Sequence, residues 1–211
     1  MSTVGAVLLA GFLAALVIGP IVLVLANTTS SSRTGFSLRS PAVVIATVTV
    51  CGAVGATAAY RWNPVMLLAS LPLLVLAGPA ALVDLREHRL PTVLTLPFTG
   101  AGVVLAGLPA LVSGQPAPAV HAVIAAVVVG VLMLVLGLLG GPGLGDVKFA
   151  PGLAAYLAAA GWTTLVTGLL AWSLLIAVSV VINRLAGARA MDITPYGPAL
   201  LLGTWLALLI A

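Results

Sequence analysis

The sequence predicts an all-α polytopic membrane protein with about eight transmembrane helices. The chain of 211 residues is 62% hydrophobic and only 6% charged, whereas a water-soluble domain carries about 25% charged residues. Apolar stretches long enough to cross a bilayer recur from one end of the chain to the other. The basic residues gather in alternate connections between these stretches. Together these observations indicate a single transmembrane domain over residues 1–211.

The apolar stretches define the predicted helices in order. The first is interpreted as a retained span, because it lacks a basic leading region and is longer than the ~7–15 apolar residues of a signal peptide. The sixth and eighth are short, and the count falls to seven if residues 147–183 contain a re-entrant segment. The predicted spans are 4–26, 41–60, 64–84, 92–113, 118–140, 147–160, 162–183 and 196–211.

The basic residues predict the orientation of these spans. Of the eight Lys and Arg residues, only Arg61 falls in an even-numbered connection. Cytoplasmic loops are enriched in Lys and Arg, so the odd-numbered connections are predicted to face the cytoplasm and both termini to face outward. The odd-numbered connections contain or border on the other seven, which are Arg33, Arg39, Arg86, Arg89, Arg184, Arg189 and, bordering the fifth connection, Lys148.

Two of the four acidic residues stand at the ends of predicted spans. Asp84 closes the third span and Asp146 opens the sixth. The fourth and fifth spans between them form a hairpin that crosses the bilayer and returns. Both aspartates are therefore expected at the same membrane face, at similar depth, where they can meet.

A pair of neighbouring carboxyl groups is suited to acid–base chemistry. Two carboxylates that lie close together cannot both ionise cheaply, so one keeps a proton while the other acts as a base. Such a pair can activate a water molecule and protonate a peptide carbonyl, with neither a metal nor a covalent intermediate. Asp84 and Asp146 are therefore predicted to be catalytic residues of an aspartyl protease that needs no metal or cofactor.

The segment GPGLGDVKFAPG surrounds Asp146 with glycine and proline. Gly143 and Gly145 permit backbone torsions closed to other residues and leave room for an extended substrate, while Pro142 favours a break before the helix. Taken alone, this segment is equally typical of an ordinary loop at a membrane surface, and Asp84 in LVDLREHRL is more typical of an ordinary interfacial charge.

The combination of three motifs resembles the type IV prepilin peptidase family. These motifs are VDLREHRLP at the end of the third span, GLGDVK at the start of the sixth, and ITPYGPALLLG before the last. The resemblance covers a peptidase core at residues 64–211 and implies catalytic roles for Asp84 and Asp146. The residues expected to bind substrate are Gly143, Gly145, Lys148, Pro91, Tyr196 and Gly197.

The resemblance also implies a substrate and a location. The family removes the basic leader peptide from type IV prepilins and pseudopilins, just before an apolar N-terminal helix, at the cytoplasmic face of the bacterial cell membrane. The expected partners are therefore such a substrate and the lipid bilayer, with no nucleic acid. The oligomeric state is not predicted.

The sequence departs from the family pattern at several positions. Many members have a cytoplasmic insert with two CxxC pairs and also methylate the new N-terminus. Here the first connection is NTTSSSRTGFSLRS, and the one cysteine, Cys51, cannot form a four-thiolate site. We therefore expect no N-methyltransferase activity. Leu90 replaces an isoleucine, Thr92 the common asparagine, and Pro151 interrupts the helix after Asp146.

Other polar residues have simpler interpretations. Lys148 is expected to pair with Asp146 or to extend toward lipid phosphates. Glu87 and His88 are expected to be solvated loop residues, and His121 an interfacial residue without a partner. Asp192 is expected to cap or orient the last helix.

Two functions other than a protease are compatible with the sequence. A proton-coupled transporter or channel would use buried acids as proton relays, but transporters place such groups near the bilayer midplane rather than at one face. A catalytically silent relative acting in pilus assembly would keep the fold without the reaction.

Overall fold

The computed structural model describes residues 3–30, 39–61, 64–185 and 195–211. Within these ranges the chain is helical throughout and contains no β-strand. Together with the long apolar helices, this confirms the prediction of an all-α polytopic membrane protein. Arg33, Arg189 and Asp192 lie outside the described residues.

The described helices follow the predicted spans closely. Six of them (α1–α5 and α7 below) are long and apolar enough to cross a membrane, whereas α6 has 17 residues and α8 has 14. The helices are α1 (Thr3–Leu13, a π-helical turn Ala14–Ile18, then Gly19–Thr29), α2 (Pro41–Arg61), α3 (Pro64–Ala69, a π-helical turn Leu73–Ala77, then Gly78–Glu87), α4 (Thr92–Ala106 and Leu108–Val112), α5 (Ala117–Leu138), α6 (Leu144–Ala160), α7 (Trp162–Leu185) and α8 (Gly197–Ile210).

Helix α6 lies at the centre of the bundle. It contacts α4, α5, α7 and α8, and Phe149, Leu153 and Leu157 on its inner face are completely buried. By contrast, α5 directs much of its valine and leucine surface outward, as expected for a helix in contact with lipid. Helix α6, which carries the polar Asp-Val-Lys sequence near its start, is thus shielded by the helices around it.

Helices α4 and α6 run in the same direction and pack closely. The residue numbers of the contacting positions increase together in both segments, from Leu90 against Gly145 to Gly102 against Tyr156. The ends of α3 and α6 that carry the two aspartates therefore lie at one end of the bundle.

Helices α6 and α7 form an antiparallel hairpin around Gly161. This glycine has φ +146°, a value that side-chain-bearing residues rarely adopt, and Leu157 of α6 packs against Gly168 of α7. Residues 147–183 thus belong to two separate helices.

One prediction about the opposite end of the bundle is wrong. His121, at the start of α5, does have a partner, because its ring lies 4.9 Å from that of Trp162, centroid to centroid. The two residues begin different helices, so their proximity could not be predicted from local sequence. Cys51 is buried in α2.

Candidate active site

Three helix ends meet where the two aspartates lie. These are the end of α3 with Asp84, the start of α6 with Asp146, and the start of α8 with Gly197. Leu90, in the loop after α3, touches two of these ends. A Cβ added at Gly145 would lie 2.7 Å from Leu90 Cβ, and one at Gly197 would lie 3.0 Å from Leu90 Cδ2. The site therefore depends on tertiary packing of segments far apart in sequence.

Asp84 is held by the first residue of α8. Its side chain is buried, and the Gly197 backbone N–H donates a hydrogen bond of 2.8 Å to Asp84 Oδ2. The first N–H groups of a helix have no partner within that helix, so a carboxylate is well placed to accept from them. Gly197 was predicted to bind substrate, and the structure places it against a carboxyl group of the site.

The turn after Asp84 has an unusual backbone. His88 ends α3 in the left-handed conformation, with φ 52°, which only a small share of residues other than glycine adopt. Its N–H donates to the Asp84 carbonyl, 2.8 Å away. The chain thereby turns sharply and brings Leu90 back toward α6.

Asp146 occupies the first turn of α6, ahead of the predicted span 147–160. Its Oδ2 accepts a hydrogen bond of 3.0 Å from the Gly143 backbone N–H, as an acidic residue does at the third position of a helix. Its other oxygen, Oδ1, is buried and has no hydrogen-bond partner among the described residues. One carboxyl oxygen is thus fixed, and the other is available for a proton or a water molecule.

Burial and a neighbouring charge change the acidity of Asp146. Burial is the main effect that raises the pKa of this carboxyl, the negative charge of Asp84 adds to it, and the hydrogen bond from Gly143 opposes both, so that the pKa lies at about 6. A raised pKa beside a like charge is expected when two carboxyl groups share a site. The charge of Asp84 thus acts on the carboxyl group of Asp146.

The predicted role of the glycine torsions is wrong. Gly143 has φ −71° and ψ 162°, an extended conformation open to any residue, and Gly145 is part of α6. What Gly145 supplies is space, because its α-carbon faces Leu90 at a distance that leaves no room for a methyl group. A Cβ at Gly143 would instead meet Asp146 Oδ2 at 3.6 Å, an ordinary contact.

Lys148 points toward α4. Its Nζ donates to Thr92 Oγ1 at 3.2 Å, and its carbonyl oxygen accepts a hydrogen bond from Thr99 Oγ1. Pro91 and Tyr196 are the N-cap residues of α4 and α8. They stand next to Leu90 and Gly197, at the edge of the site.

The expectation that Glu87 is a solvated loop residue is wrong. Its side chain is only 2% exposed and forms a salt bridge of 2.6 Å with Arg89 Nε, and Ser30 at the end of α1 donates a hydrogen bond to it. The opposite charges in REHR were a signal for the Arg89 contact, whereas nothing local indicates Ser30. Among the described residues, no cluster of three or more His, Cys, Asp or Glu is arranged to hold a metal ion.

The fold and the site define a multi-pass helical membrane protein with an interacting pair of aspartates at helix ends. The chain belongs to the type IV leader peptidase family, whose model matches residues 68–181. It is 31% identical over 191 residues to the prepilin leader peptidase/N-methyltransferase of Pseudomonas aeruginosa, over 89% of this chain and 63% of that relative. The chain thus spans less than two thirds of that relative's length. No solved structure matches the chain. The resemblance predicted from the three motifs is confirmed.

Proposed function

We propose that the protein is an aspartyl endopeptidase that removes the leader peptide from type IV prepilins or pseudopilins. The observation that carries the proposal is the state of Asp146, whose buried Oδ1 has no partner among the described residues while the charge of Asp84 acts on the same carboxyl. Family membership supports a peptidase acting on prepilins. The choice of the two aspartates as its catalytic groups rests on the geometry.

The proposed reaction uses one water molecule and one proton shared by the pair. The ionised aspartate takes a proton from water, and the water oxygen bonds to the scissile carbonyl carbon. The protonated aspartate gives its proton to the carbonyl oxygen, which produces a neutral gem-diol. The carbon–nitrogen bond then breaks as the first aspartate gives its proton to the amine nitrogen. A hydroxyl of the gem-diol returns a proton to the second aspartate, which leaves a carboxylic acid product and the pair with its one shared proton.

The hydrogen bonds around the pair suit this cycle. Backbone N–H groups of Gly197 and Gly143 each hold one oxygen of a carboxyl group. Neither N–H can lose its proton to the reaction, so both carboxyl groups keep their orientation as they exchange charge. Gly143, Gly145, Lys148, Pro91, Tyr196 and Gly197 lie in or next to the segments that carry the pair and are proposed to contact the substrate.

We also propose that cleavage occurs at the cytoplasmic face of the bacterial cell membrane. This orientation rests on the basic residues near the aspartates, such as Arg86, Arg89 and Lys148. The reaction is proposed to end at peptide cleavage, without N-methylation, because Cys51 alone cannot supply the four thiolates of a CxxC pair of motifs.

Co-expression with a prepilin from the same genome tests the proposal. Leader removal is read by a shift in mobility and by mass spectrometry of the new N-terminus, which also detects a methyl group. Wild type is expected to cleave, and Asp84→Asn and Asp146→Asn are each expected to lose cleavage at normal membrane levels. Glu87→Gln, which changes a carboxylate paired with Arg89, is the matched control and should still cleave. Cleavage by either aspartate variant would overturn the catalytic assignment.

A further inference from the structure

Three threonines of α4 lie along the face that meets α6. Thr92, Thr95 and Thr99 are spaced three and four residues apart, which places them on one side of the helix. The outer two are hydrogen-bonded to the same residue, Lys148, one through its ammonium group and one through its carbonyl oxygen. Thr95 between them is fully buried, and its hydroxyl has no hydrogen-bond partner among the described residues.

Lys148 is thereby fixed at both its side chain and its backbone. A helix can slide along or rotate against a neighbour when only apolar side chains join them. A hydrogen bond from Thr99 to the Lys148 carbonyl opposes sliding, and one from the Lys148 ammonium to Thr92 opposes rotation. Close packing supports both, because a Cβ at Gly152 would lie 2.9 Å from Thr99 Cα.

Lys148 follows Asp146 by two positions, and Asp146 lies in the first turn of α6. We propose that Thr92, Thr99 and Lys148 form a clamp that sets the position of the Asp146 carboxyl group relative to Asp84. The lysine thus acts on the site through the helix it belongs to. These are positioning residues for the reaction, and the inference rests on the proposed function for its kinetic consequence.

The clamp gives the hydroxyl group of Thr92 a specific function. Thr92 is the first residue of α4, and its hydroxyl oxygen accepts a hydrogen bond of 3.2 Å from the Lys148 ammonium group. The clamp therefore requires only a hydrogen-bond acceptor at this position of the side chain. Valine has nearly the same shape without the oxygen, whereas serine keeps the oxygen. These two substitutions therefore separate the hydrogen bond from the packing.

The test compares the same substitution at three positions of one helix. Thr92→Val and Thr99→Val each lose a hydrogen bond to Lys148, whereas Thr95→Val loses a hydroxyl that bonds to nothing described. We expect kcat for prepilin cleavage to fall about fivefold in the first two variants, the equivalent of one hydrogen bond, with KM unchanged. Thr95→Val should cleave like wild type, and Thr92→Ser should restore the rate.

A double-mutant cycle tests whether Thr92 and Lys148 act together. Lys148→Met removes the ammonium group and keeps the length of the side chain. If the two residues act only through their hydrogen bond, Thr92→Val combined with Lys148→Met will be no slower than the slower single variant. If the loss of rate in the double variant equals the product of the losses in the two single variants, the clamp is overturned.

A titration of the aspartate carboxyl groups gives a result that does not depend on cleavage. With ¹³C-labelled aspartate, NMR in detergent micelles follows Asp146 as pH changes. Loss of the clamp should move its apparent pKa in Thr92→Val, because the distance to Asp84 changes, but not in Thr95→Val. An unchanged titration in Thr92→Val would overturn the inference even if the aspartates prove catalytic. A changed titration with no cleavage by wild type would support the clamp and count against the proposed function.

Discussion

At the scale of single residues, the acidity of Asp146 reflects its neighbours. Burial and the Asp84 charge both favour the protonated form, and together they raise the pKa to about 6. Asp146 therefore loses its proton as pH rises through about 6, which is a higher pH than an exposed aspartate requires. Near that pH the pair carries a single proton for part of the time, which is the form that the proposed reaction requires.

The contribution of Asp84 can be isolated. Asp84→Asn removes the charge and keeps an oxygen able to accept from Gly197. We expect the pKa of Asp146 to fall below its wild-type value, while remaining above 3.8 because burial is unchanged. The measurement is NMR of the ¹³C-labelled carboxyl groups across a pH series.

Glu87→Gln provides the control for this titration. Its carboxylate is paired with Arg89 at 2.6 Å, so its removal should leave the pKa of Asp146 in place. If the pKa of Asp146 were also unchanged in Asp84→Asn, the two aspartates would not share a site.

At the scale of helices, Gly145 controls how closely α6 approaches the loop after α3. Gly145→Ala would bring a methyl group to 2.7 Å from Leu90 Cβ, and overpacking of this kind costs about 1–3 kcal/mol. Because the displaced turn also carries Asp146, we expect cleavage to fall roughly tenfold, which corresponds to 1.4 kcal/mol. Initial rates with purified enzyme and prepilin in detergent check this.

Gly100→Ala in α4 is the matched control for crowding. It makes the same chemical change in a helix with nothing within 4 Å of the new methyl group. It should leave cleavage unchanged and gain up to about 1 kcal/mol in helix stability, seen as a higher midpoint of unfolding. Equal losses in both variants would show that crowding at Leu90 is not the cause.

The sequence predicts the helices better than it predicts the contacts of the site. The approach of Asp84 and Asp146 follows from topology, because an even number of crossings returns the chain to the same face. The hydrogen bond from Gly197 to Asp84 could not be predicted, since the two residues are 113 positions apart and nothing local fixes how α8 meets α3. The function of Gly145 was misjudged because glycine in a loop-like motif suggests torsions, whereas the structure uses its small size.

At the scale of the whole molecule, the basic residues predict which end of the bundle faces the cytoplasm. The α4–α5 connection, with Gln115, and the α5–α6 connection, with Leu139, lie at opposite ends of α5. The first should be outside and the second inside.

Single cysteines test this orientation. In a Cys51→Ser background, Gln115→Cys should react with a membrane-impermeant maleimide in intact spheroplasts. Leu139→Cys, exposed in the structure, should react only after the membrane is opened. The reverse pattern would contradict the cytoplasmic site.

Leu90 has a consequence for how this sequence can evolve. Its side chain lies against Gly145 and Gly197 at once, so three segments distant in the chain share one small volume. The residues at positions 90, 145 and 197 are therefore expected to covary in evolution. A larger side chain at one position should be tolerated only when the side chains at the others leave space for it.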